Sequence, residues 1–429
     1  MSEFRGYTGK SLEFLKTNKI GVGDSVKILA DLTYLGIIMP RYEHTDDKHL
    51  VLKLKSGYNI GLEIEKIEKI EKISSPEKNI EKKESLEKNP ALPKILLLST
   101  GGTIASKVDY RTGAVTPVLT AEELNSSVPE LAKIANVDAE VLFSEYSENI
   151  MPEHWLKIAE KLKEYSTSDY SGIIIAHGTD TMHYTSSFLS FALAGFPIPI
   201  ALVGSQRSSD RASSDAALNL MGAIKFLVGC KTNGVYIVMH QDENDETIAC
   251  HLGTRVRKNH TSKRGAFQTI GSNPAFIIVN DQIQRNMKDE FFKVKEFQPR
   301  INLNTKVALV KYHPGYDPSL LGKIIEMNYS GIIFEGTGLG HIGKTMYDNV
   351  KKANEKGMFL GMTSQCIDGR VGMTVYESGR DLLNLGIISL ENMIPEVALV
   401  KAMWALGNSE TLEDVKQIML QNIASEISD

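Results

Sequence analysis

Residues 95–106 read I-L-L-L-S-T-G-G-T-I-A-S, a short apolar run that stops abruptly in a polar turn. The apolar residues predict a buried strand that ends at Ser99. Gly101 and Gly102 allow backbone angles that other residues avoid, and they let a ligand approach the main chain closely. Thr103 adds a hydroxyl at the tip of the strand, where open parallel sheets bind ligands. Alone, this stretch fits a structural turn and a binding site equally well.

A second apolar strand, residues 172–176, ends in the same manner and runs directly into H-G-T-D-T-M at residues 177–182. Thr179 in this motif is followed at once by the carboxylate of Asp180. Because the carboxyl ends of neighbouring parallel strands meet at one edge of a sheet, we expect Thr103, Thr179 and Asp180 to lie in one crevice.

The motifs S-T-G-G-T-I-A-S and H-G-T-D-T-M resemble those of the asparaginase/glutaminase family of threonine amidohydrolases, and they occur in the family's order. The resemblance extends from about residue 94 to the end of the chain. It implies an α/β fold with an asparaginase-like core of two domains and a parallel sheet. It also implies a homodimeric core, with active sites near the boundary between a large domain and a partner's small domain.

Length and composition describe an ordinary globular protein. A chain of 429 residues is too long for one hydrophobic core and predicts two or three domains. The formal net charge of −5 argues against a surface that binds nucleic acid all over, although a local basic patch remains open. The three cysteines are far apart without C-x-x-C spacing, which favours a reducing compartment over a disulfide scaffold or a zinc site.

Two further observations concern location and nucleotide binding. The N-terminus shows no secretory signal, and no stretch approaches the roughly 20 apolar residues of a membrane span, so we expect a cytoplasmic protein. Residues 336–341 read G-T-G-L-G-H, and a dinucleotide fingerprint would need a third glycine where His341 stands. We therefore expect no nucleotide cofactor and no nucleotide hydrolysis in this chain.

The first 62 residues predict a small β-barrel-like module. Short strand patterns at 24–28, 35–39, 50–54 and 60–62 are separated by turn residues, and none carries catalytic residue types. The sequences G-D-S-V-K-I, L-G-I-I-M-P-R-Y-E and L-V-L-K-L-K-S-G-Y-N-I-G resemble the N-terminal module of one branch of the family. That branch comprises the D subunits of archaeal glutamyl-tRNA(Gln) amidotransferases.

Residues 63–92 consist mainly of Glu, Lys and Ile, with an isoleucine at every third position from 64 to 73. One interpretation is a short amphipathic helix, broken by Ser74, Ser75 and Pro76. The sequence favours a solvated, partly disordered linker, because so little apolar surface is available to fix it.

Beyond the linker, strand and helix patterns alternate. Residues 93–290 predict a large α/β domain with a parallel sheet and the catalytic motifs, and residues 300–429 predict a smaller C-terminal α/β domain. The basic segment 253–267, G-T-R-V-R-K-N-H-T-S-K-R-G-A-F, is typical of a solvated loop by composition alone.

A carboxamide is a poor electrophile, and a threonine hydroxyl that attacks it needs a nearby proton acceptor and donors for the oxyanion. In the family, a threonine on a mobile loop attacks with a tyrosine close by. A second threonine, an aspartate and a lysine form the other half of the circuit. The resemblance assigns the first half to Thr103 and Tyr110 and the second to Thr179, Asp180 and Lys258. Which threonine is the primary nucleophile is left open.

The resemblance also implies a substrate-binding set and assigns Lys258 within the basic segment, ahead of its neighbour Lys263. We expect Asp180 to meet the substrate's α-ammonium group and His177 to be a packing residue of its loop. No metal-ligand spacing is present in the sequence. The residues expected to bind substrate are Gly102, Ser147, Glu148 and Gly178.

The branch resemblance implies a subunit that releases ammonia from glutamine or asparagine. A kinase/transamidase partner, the E subunit of the amidotransferase, would use the ammonia with ATP and Mg²⁺ to convert Glu-tRNA(Gln) to Gln-tRNA(Gln). The chain itself would need no cofactor and would form the homodimeric core of a heterotetramer, reaching tRNA(Gln) through the complex. The alternatives are a free-standing cytoplasmic L-asparaginase with an appended domain, and a non-catalytic scaffold.

Overall fold

The structure is a computed structural model. It describes Phe4 and residues 6–41, 46–55, 58–75, 89–102, 128–207, 213–230, 232–288 and 296–428, and the backbone alone of 106–109 and 114–117.

The N-terminal module is a helix followed by a five-stranded antiparallel sheet in the order β4-β3-β2-β1-β5. Its fully buried side chains include Leu15, Val26, Ile28, Ile38 and Leu50. The structure thus confirms a small β module ahead of the α/β core. Its elements are α1 (Gly9–Thr17), β1 (Ser25–Leu29), β2 (Thr33–Ile38), β3 (His49–Leu54), β4 (Asn59–Glu63) and β5 (Lys69–Ser74).

Strand β5 lies within the segment that the sequence predicts to be a linker. It pairs antiparallel with β1, where Ile70 lies opposite Ile28, and Ile70 packs against the core of the module. The sheet therefore extends beyond residue 62, because an otherwise unpaired edge of β1 acquires a partner strand. Residues 76–88 of the predicted linker lie outside the described part of the chain.

An eight-stranded sheet forms the large domain, in the order β17-β16-β13-β12-β11-β10-β6-β9. The five strands from β12 to β9 in this order are parallel, as the sequence predicts, and β13, β16 and β17 extend the sheet in antiparallel fashion. Its strands are β6 (Lys94–Ser99), β9 (Asn136–Val141), β10 (Gly172–Ala176), β11 (Ile200–Val203), β12 (Val235–His240), β13 (Thr247–Leu252), β16 (Phe276–Val279) and β17 (Gln282–Arg285).

Both faces of this sheet are covered. Leu96 and Ile173 belong to one hydrophobic cluster, whereas Leu97 and Ile174 belong to another. Strands buried on two sides read as continuous apolar runs, which explains the sequence of β6 and β10. The helices of the domain are α2 (Pro152–Glu164), α3 (Met182–Ala192) and α4 (Ala216–Gly229).

The basic segment contributes two short strands instead of a loop. Strands β14 (Val256–Lys258) and β15 (Phe267–Thr269) pair antiparallel as a separate two-stranded ribbon, because buried Val256 and Phe267 anchor it. A second ribbon joins β7 (Ser106–Asp109) and β8 (Ala114–Pro117).

The C-terminal domain has a parallel four-stranded sheet in the order β18-β19-β20-β21. Its helix α8 packs against α3, and side chains of α8 and α9 complete the hydrophobic cluster on one face of the large sheet. No helix in the described ranges is long and apolar enough to cross a membrane. The elements are β18 (Val307–Lys311), α5 (Pro318–Glu326), β19 (Gly331–Gly336), α6 (Tyr347–Glu355), β20 (Phe359–Ser364), α7 (Glu377–Asn384), β21 (Ile388–Ser389), α8 (Pro395–Gly407) and α9 (Leu412–Leu420).

Candidate active site

The two strand ends singled out in the sequence lie side by side. Strands β6 and β10 are parallel neighbours, and Ser99 is in register with Ala176. Just beyond, both the backbone N–H and the hydroxyl of Thr100 donate to the carbonyl of Ala176, at 3.0 and 2.8 Å. The loop that leads to Thr103 is therefore fixed to the end of the strand that leads to Thr179.

The glycines of the first motif permit close backbone contacts. Gly102 has a φ of +82°, and a Cβ there would lie 2.7 Å from the backbone nitrogen of Gly178. Gly101 has a φ of +112°, and a Cβ there would lie 2.3 Å from the carbonyl oxygen of Glu145. The first motif is thus in contact with both neighbouring loops, which only glycine permits at these angles.

Two residues of the expected circuit, Thr103 and Tyr110, lie outside the described residues. The backbone is described up to Gly102, which immediately precedes Thr103. The roles assigned to these two side chains remain predictions.

The structure brings Thr179, Asp180 and Lys258 together. The amine Nζ of Lys258 lies 2.8 Å from Thr179 Oγ1 and 2.6 Å from Asp180 Oδ1, so it donates to both. The lysine side chain is only 9% exposed, whereas that of Asp180 is 64% exposed. A mostly buried amine is thus in contact with a hydroxyl and a carboxylate that borders solvent.

The other cations of the basic segment contact different groups. Arg257 pairs with Glu396 at 2.9 Å, the Nε of Arg255 donates to the carbonyl of Ser425 at 2.7 Å, and Lys263 is exposed. Strand β14 places Lys258 opposite buried Phe267 in the ribbon, and this fixes the backbone from which the lysine reaches Thr179.

Ser147 lies directly beneath the loop of the second motif. Its hydroxyl accepts from the backbone N–H of Asp180 at 3.3 Å, and its carbonyl accepts from the hydroxyl of Thr181 at 2.6 Å. A Cβ on Gly178 would lie 2.8 Å from the Cβ of Ser147, so this glycine permits the contact. Glu148 follows with an exposed side chain. The four residues expected to bind substrate therefore cluster around the same loops.

His177 is fully buried at the base of the second motif. Its Nδ1 donates to the carbonyl of Gly178 at 2.7 Å, so its Nε2 accepts from the hydroxyl of Thr185 at 2.9 Å. Burial lowers the pKa of His177 to about 4, which keeps the ring neutral. These contacts agree with a packing residue.

Gly204 is a site residue that the sequence does not single out. It follows β11, and a Cβ there would lie 2.8 Å from Thr179 Cγ2 and 2.8 Å from the carbonyl oxygen of His177. The next residues are held by Asp215, whose carboxylate accepts the backbone N–H groups of Gln206 and Arg207. The sequence feature that could have revealed Gly204 is the apolar strand β11, which is the third apolar strand to end in glycine.

The loop around His341 bears on the expectation that this chain hydrolyses no nucleotide. Residues 338–345, G-L-G-H-I-G-K-T, do have the G-x-x-x-x-G-K-[ST] spacing of a phosphate-binding loop, and they lie between β19 and α6. However, the backbone N–H groups of Gly340 and His341 both donate to the carbonyl of Thr337, at 3.0 Å. Two amides that such a loop would direct at phosphate are thus already used, and Lys344 is exposed. The geometry argues against phosphate binding here.

The ring of His341 lies inside the small domain. Its Nδ1 is 3.3 Å from the Ser378 hydroxyl, and it packs edge-on against Tyr376 at 5.7 Å between ring centroids. Over the ranges that the structure describes, no three His, Cys, Asp or Glu residues are grouped so that they could hold a metal ion.

Comparison with known proteins places the fold in a defined class. The family described as "Asparaginase, N-terminal" matches residues 94–290, and "Glutaminase/Asparaginase C-terminal domain" matches residues 306–419. The solved L-asparaginase of Thermococcus kodakarensis superposes with a TM-score of 0.72 at 32% identity, covering 78% of this chain and 99% of that one. The chain therefore has an asparaginase-type fold.

The N-terminal module narrows the class, because residues 20–73 match the family described as "GatD N-terminal domain". The D subunit of glutamyl-tRNA(Gln) amidotransferase from Pyrococcus furiosus is 44% identical over 425 residues, 97% of each chain. That of Pyrococcus abyssi is 45% identical over 429 residues, again 97% of each chain. The chain belongs to the family of glutamyl-tRNA(Gln) amidotransferase D subunits.

Proposed function

We propose that this chain hydrolyses a side-chain amide, that of glutamine or asparagine, through a threonine nucleophile and releases ammonia for tRNA-dependent amidation. The observation that carries the proposal is the contact of Lys258 Nζ with both Thr179 Oγ1 and Asp180 Oδ1, at 2.8 and 2.6 Å. A hydroxyl next to a mostly buried amine and a carboxylate has the partners that an activated nucleophile or a proton relay needs.

The reaction proceeds in two stages. A threonine hydroxyl adds to the amide carbonyl, its proton passes to the relay, and the carbon–nitrogen bond breaks as the leaving nitrogen takes up a proton and departs as ammonia. Water then hydrolyses the acyl-enzyme, which frees the threonine and gives glutamate or aspartate. Thr103 and Thr179 both remain candidates for the attacking group, and Lys258 with Asp180 moves the proton at Thr179.

The proposal includes a complex. The names of the relatives support a component of a larger amidotransferase, in which a partner, the E subunit, would hold ATP and Mg²⁺ and activate the glutamate on tRNA(Gln). Ammonia from this chain would complete the amide. We infer a homodimer of this chain at the core of a heterotetramer, acting in the cytoplasm.

The test is ammonia release by the purified full chain from glutamine and from asparagine. We expect Lys258→Met and Lys258→Arg to lower kcat by roughly 10²–10⁴-fold, because neither can transfer a proton at Thr179. The matched control is Lys263→Met, which removes an exposed cation from the same segment and should retain wild-type kcat. Normal turnover by Lys258→Arg would show that the lysine supplies only charge.

A free-standing L-asparaginase is the second candidate, because the Thermococcus kodakarensis enzyme matches 99% of its length to this chain. Assays with and without the partner subunit, ATP and Glu-tRNA(Gln) separate the two functions. Formation of Gln-tRNA(Gln) that depends on this chain supports the amidotransferase function. Rapid asparagine hydrolysis with no transfer to tRNA supports the asparaginase.

A further inference from the structure

The end of the chain folds back as a compact turn, residues 422–428, which we name the C-terminal turn. The carboxylate of Glu426 accepts the backbone N–H groups of Ile423, at 2.9 Å, and Ala424, at 2.6 Å. The same carboxylate pairs with Lys401 Nζ at 2.6 Å, and both side chains are fully buried. A buried pair holds its groups in one arrangement, because breaking it leaves an uncompensated charge.

The C-terminal turn contacts the residues immediately before the strand that carries Lys258. The hydroxyl of Thr254 donates to the carbonyl of Ala424 at 2.7 Å, and the Nε of Arg255 donates to the carbonyl of Ser425 at 2.7 Å. Thr254 and Arg255 are each only 2% exposed. Two buried side chains therefore fix this point of the backbone to a segment 170 residues further along the chain.

The preceding residue is held from the other side. The carbonyl of Gly253 accepts the hydroxyls of Ser186, at 2.8 Å, and Ser187, at 3.1 Å, both on α3. Helix α3 begins two residues after Asp180. The entry to β14 is thus held between the helix that follows the second motif and the C-terminal turn.

This attachment bears on the lysine because β14 is short and pairs with β15 in a ribbon separate from the eight-stranded sheet. Lys258 lies three residues after Arg255, about 10 Å along an extended chain. Its amine must reach both Thr179 and Asp180, and a misplacement of about 1 Å can cost about 10²-fold in rate.

We propose that the C-terminal turn is a positioning element for the active site: through Thr254 and Arg255 it sets the backbone from which Lys258 reaches Thr179 and Asp180. Thr254, Arg255 and Glu426 are then positioning residues that contact no substrate. The inference rests on the proposed function, because the proposed function is what gives Lys258 a catalytic role.

The test compares two isosteric substitutions in the full chain. Thr254→Val removes the hydroxyl that binds Ala424, and the control Thr363→Val removes a buried hydroxyl in the small domain that donates to the carbonyl of Phe334 at 2.8 Å. We expect Thr254→Val and Thr363→Val to lower the melting temperature by similar, small amounts. Thr254→Val should lower kcat about tenfold or more, with KM changed less than about threefold. Thr254→Ser keeps the hydroxyl and should restore kcat. The control Thr363→Val should leave kcat unchanged.

A second variant covers the case in which Thr254→Val does not fold. Arg255→Met keeps an unbranched side chain as far as the position of Nε and loses the donor to Ser425. Burial lowers the pKa of Arg255 to about 10, because desolvation makes the charged guanidinium costly at this position. We expect the same loss of kcat at little change in KM.

Amide hydrogen exchange over residues 253–260 gives a readout that is independent of ammonia release. Exchange there should be faster in Thr254→Val and Arg255→Met than in the wild type or Thr363→Val. Unchanged exchange, or equal kcat losses in Thr254→Val and Thr363→Val, overturns the proposal. A wild-type chain that releases no ammonia overturns the proposed function instead, and hydrogen exchange still decides whether the C-terminal turn orders the lysine strand.

Discussion

The amine of Lys258 lies in a largely buried place, with the side chain only 9% exposed. Desolvating an amine is costly unless hydrogen bonds and an opposite charge compensate for it. Thr179 and Asp180 provide both, at 2.8 and 2.6 Å. Since Asp180 is 64% exposed, a substrate can reach this group from the solvent side without displacing the lysine.

The single residue His177 leads to a prediction about how the free energy of unfolding depends on pH. Its pKa is lowered from 6.5 to about 4 by burial, so between these values the unfolded chain binds a proton that the folded chain does not. The stability that this difference gives is fully present above pH 6.5 and is lost as the pH falls towards 4. Between pH 7 and pH 5, His177 should therefore lower the free energy of unfolding by about 2 kcal/mol.

The measurement is denaturant unfolding of the wild type and of His177→Asn at both pH values. The other buried histidines are present in both proteins. Charge on His177 also lowers the pKa of His183, so the difference reports His177 together with this coupling. The variant should lose about 2 kcal/mol less than the wild type. Equal losses would mean that the ring is accessible to protons in the folded chain.

At the scale of elements, the loop after β6 depends on the absence of a side chain at Gly102. Gly102→Ala would combine a φ of +82° with a Cβ 2.7 Å from the backbone nitrogen of Gly178. Gly315 is a matched control, with a φ of +80° and open space around the added Cβ. Both variants carry the backbone strain, which costs about 1–2 kcal/mol, but only Gly102→Ala must also separate two loops.

We therefore expect Gly102→Ala to melt at a clearly lower temperature than Gly315→Ala. It should also lose most ammonia release, because Thr103 follows directly. Thermal unfolding and kcat of both variants provide the measurement. Equal melting temperatures together with equal activities would show that the two loops move apart without consequence.

Strand β5 gives another prediction at this scale. Ile70 packs against the core of the N-terminal module, whereas Ile73 in the same strand is 57% exposed. Ile70→Asp should destabilise the module by about 1–2 kcal/mol, and Ile73→Asp should have little effect. Hydrogen exchange in β1, the partner of β5, reports the difference. Equal effects would mean that the segment behaves as the solvated linker that its composition suggests.

The strands show which local features a sequence can reveal. β6 and β10 are predictable because they are buried on both faces and end in glycine and threonine. β5 is hidden in the sequence because its isoleucines recur every third residue, which does not match the two-residue period of a strand. β14 was hidden by its basic composition, and Lys258 was assigned only through the family resemblance.

At the scale of the whole molecule, the sequence could not show contacts made by distant segments. The C-terminal turn has no apolar period of its own, and its partner Thr254 lies 170 residues from Ala424 in the chain. Such contacts depend on the packing of α8 and α9 against the large domain. Motifs that occur at strand ends predict which loops meet, whereas positioning contacts of this kind appear only in three dimensions.

The final prediction is that the N-terminal module folds independently of the α/β domains. Among the residues that the structure describes, its hydrophobic cluster shares no member with the three clusters of the α/β domains. The entry to the large domain begins later, where Asn136 donates to the carbonyls of Asn89, at 2.7 Å, and Leu92, at 3.1 Å. A chain without residues 1–85 keeps this attachment, whereas a chain without residues 1–92 loses it.

We expect the chain without residues 1–85 to remain folded and to release ammonia at the wild-type rate. The chain without residues 1–92 should melt at a lower temperature. Thermal unfolding and the ammonia assay on both truncated chains provide the measurement. If removal of residues 1–85 yields only aggregated protein, the module contributes to the core of the enzyme and is not an independent unit.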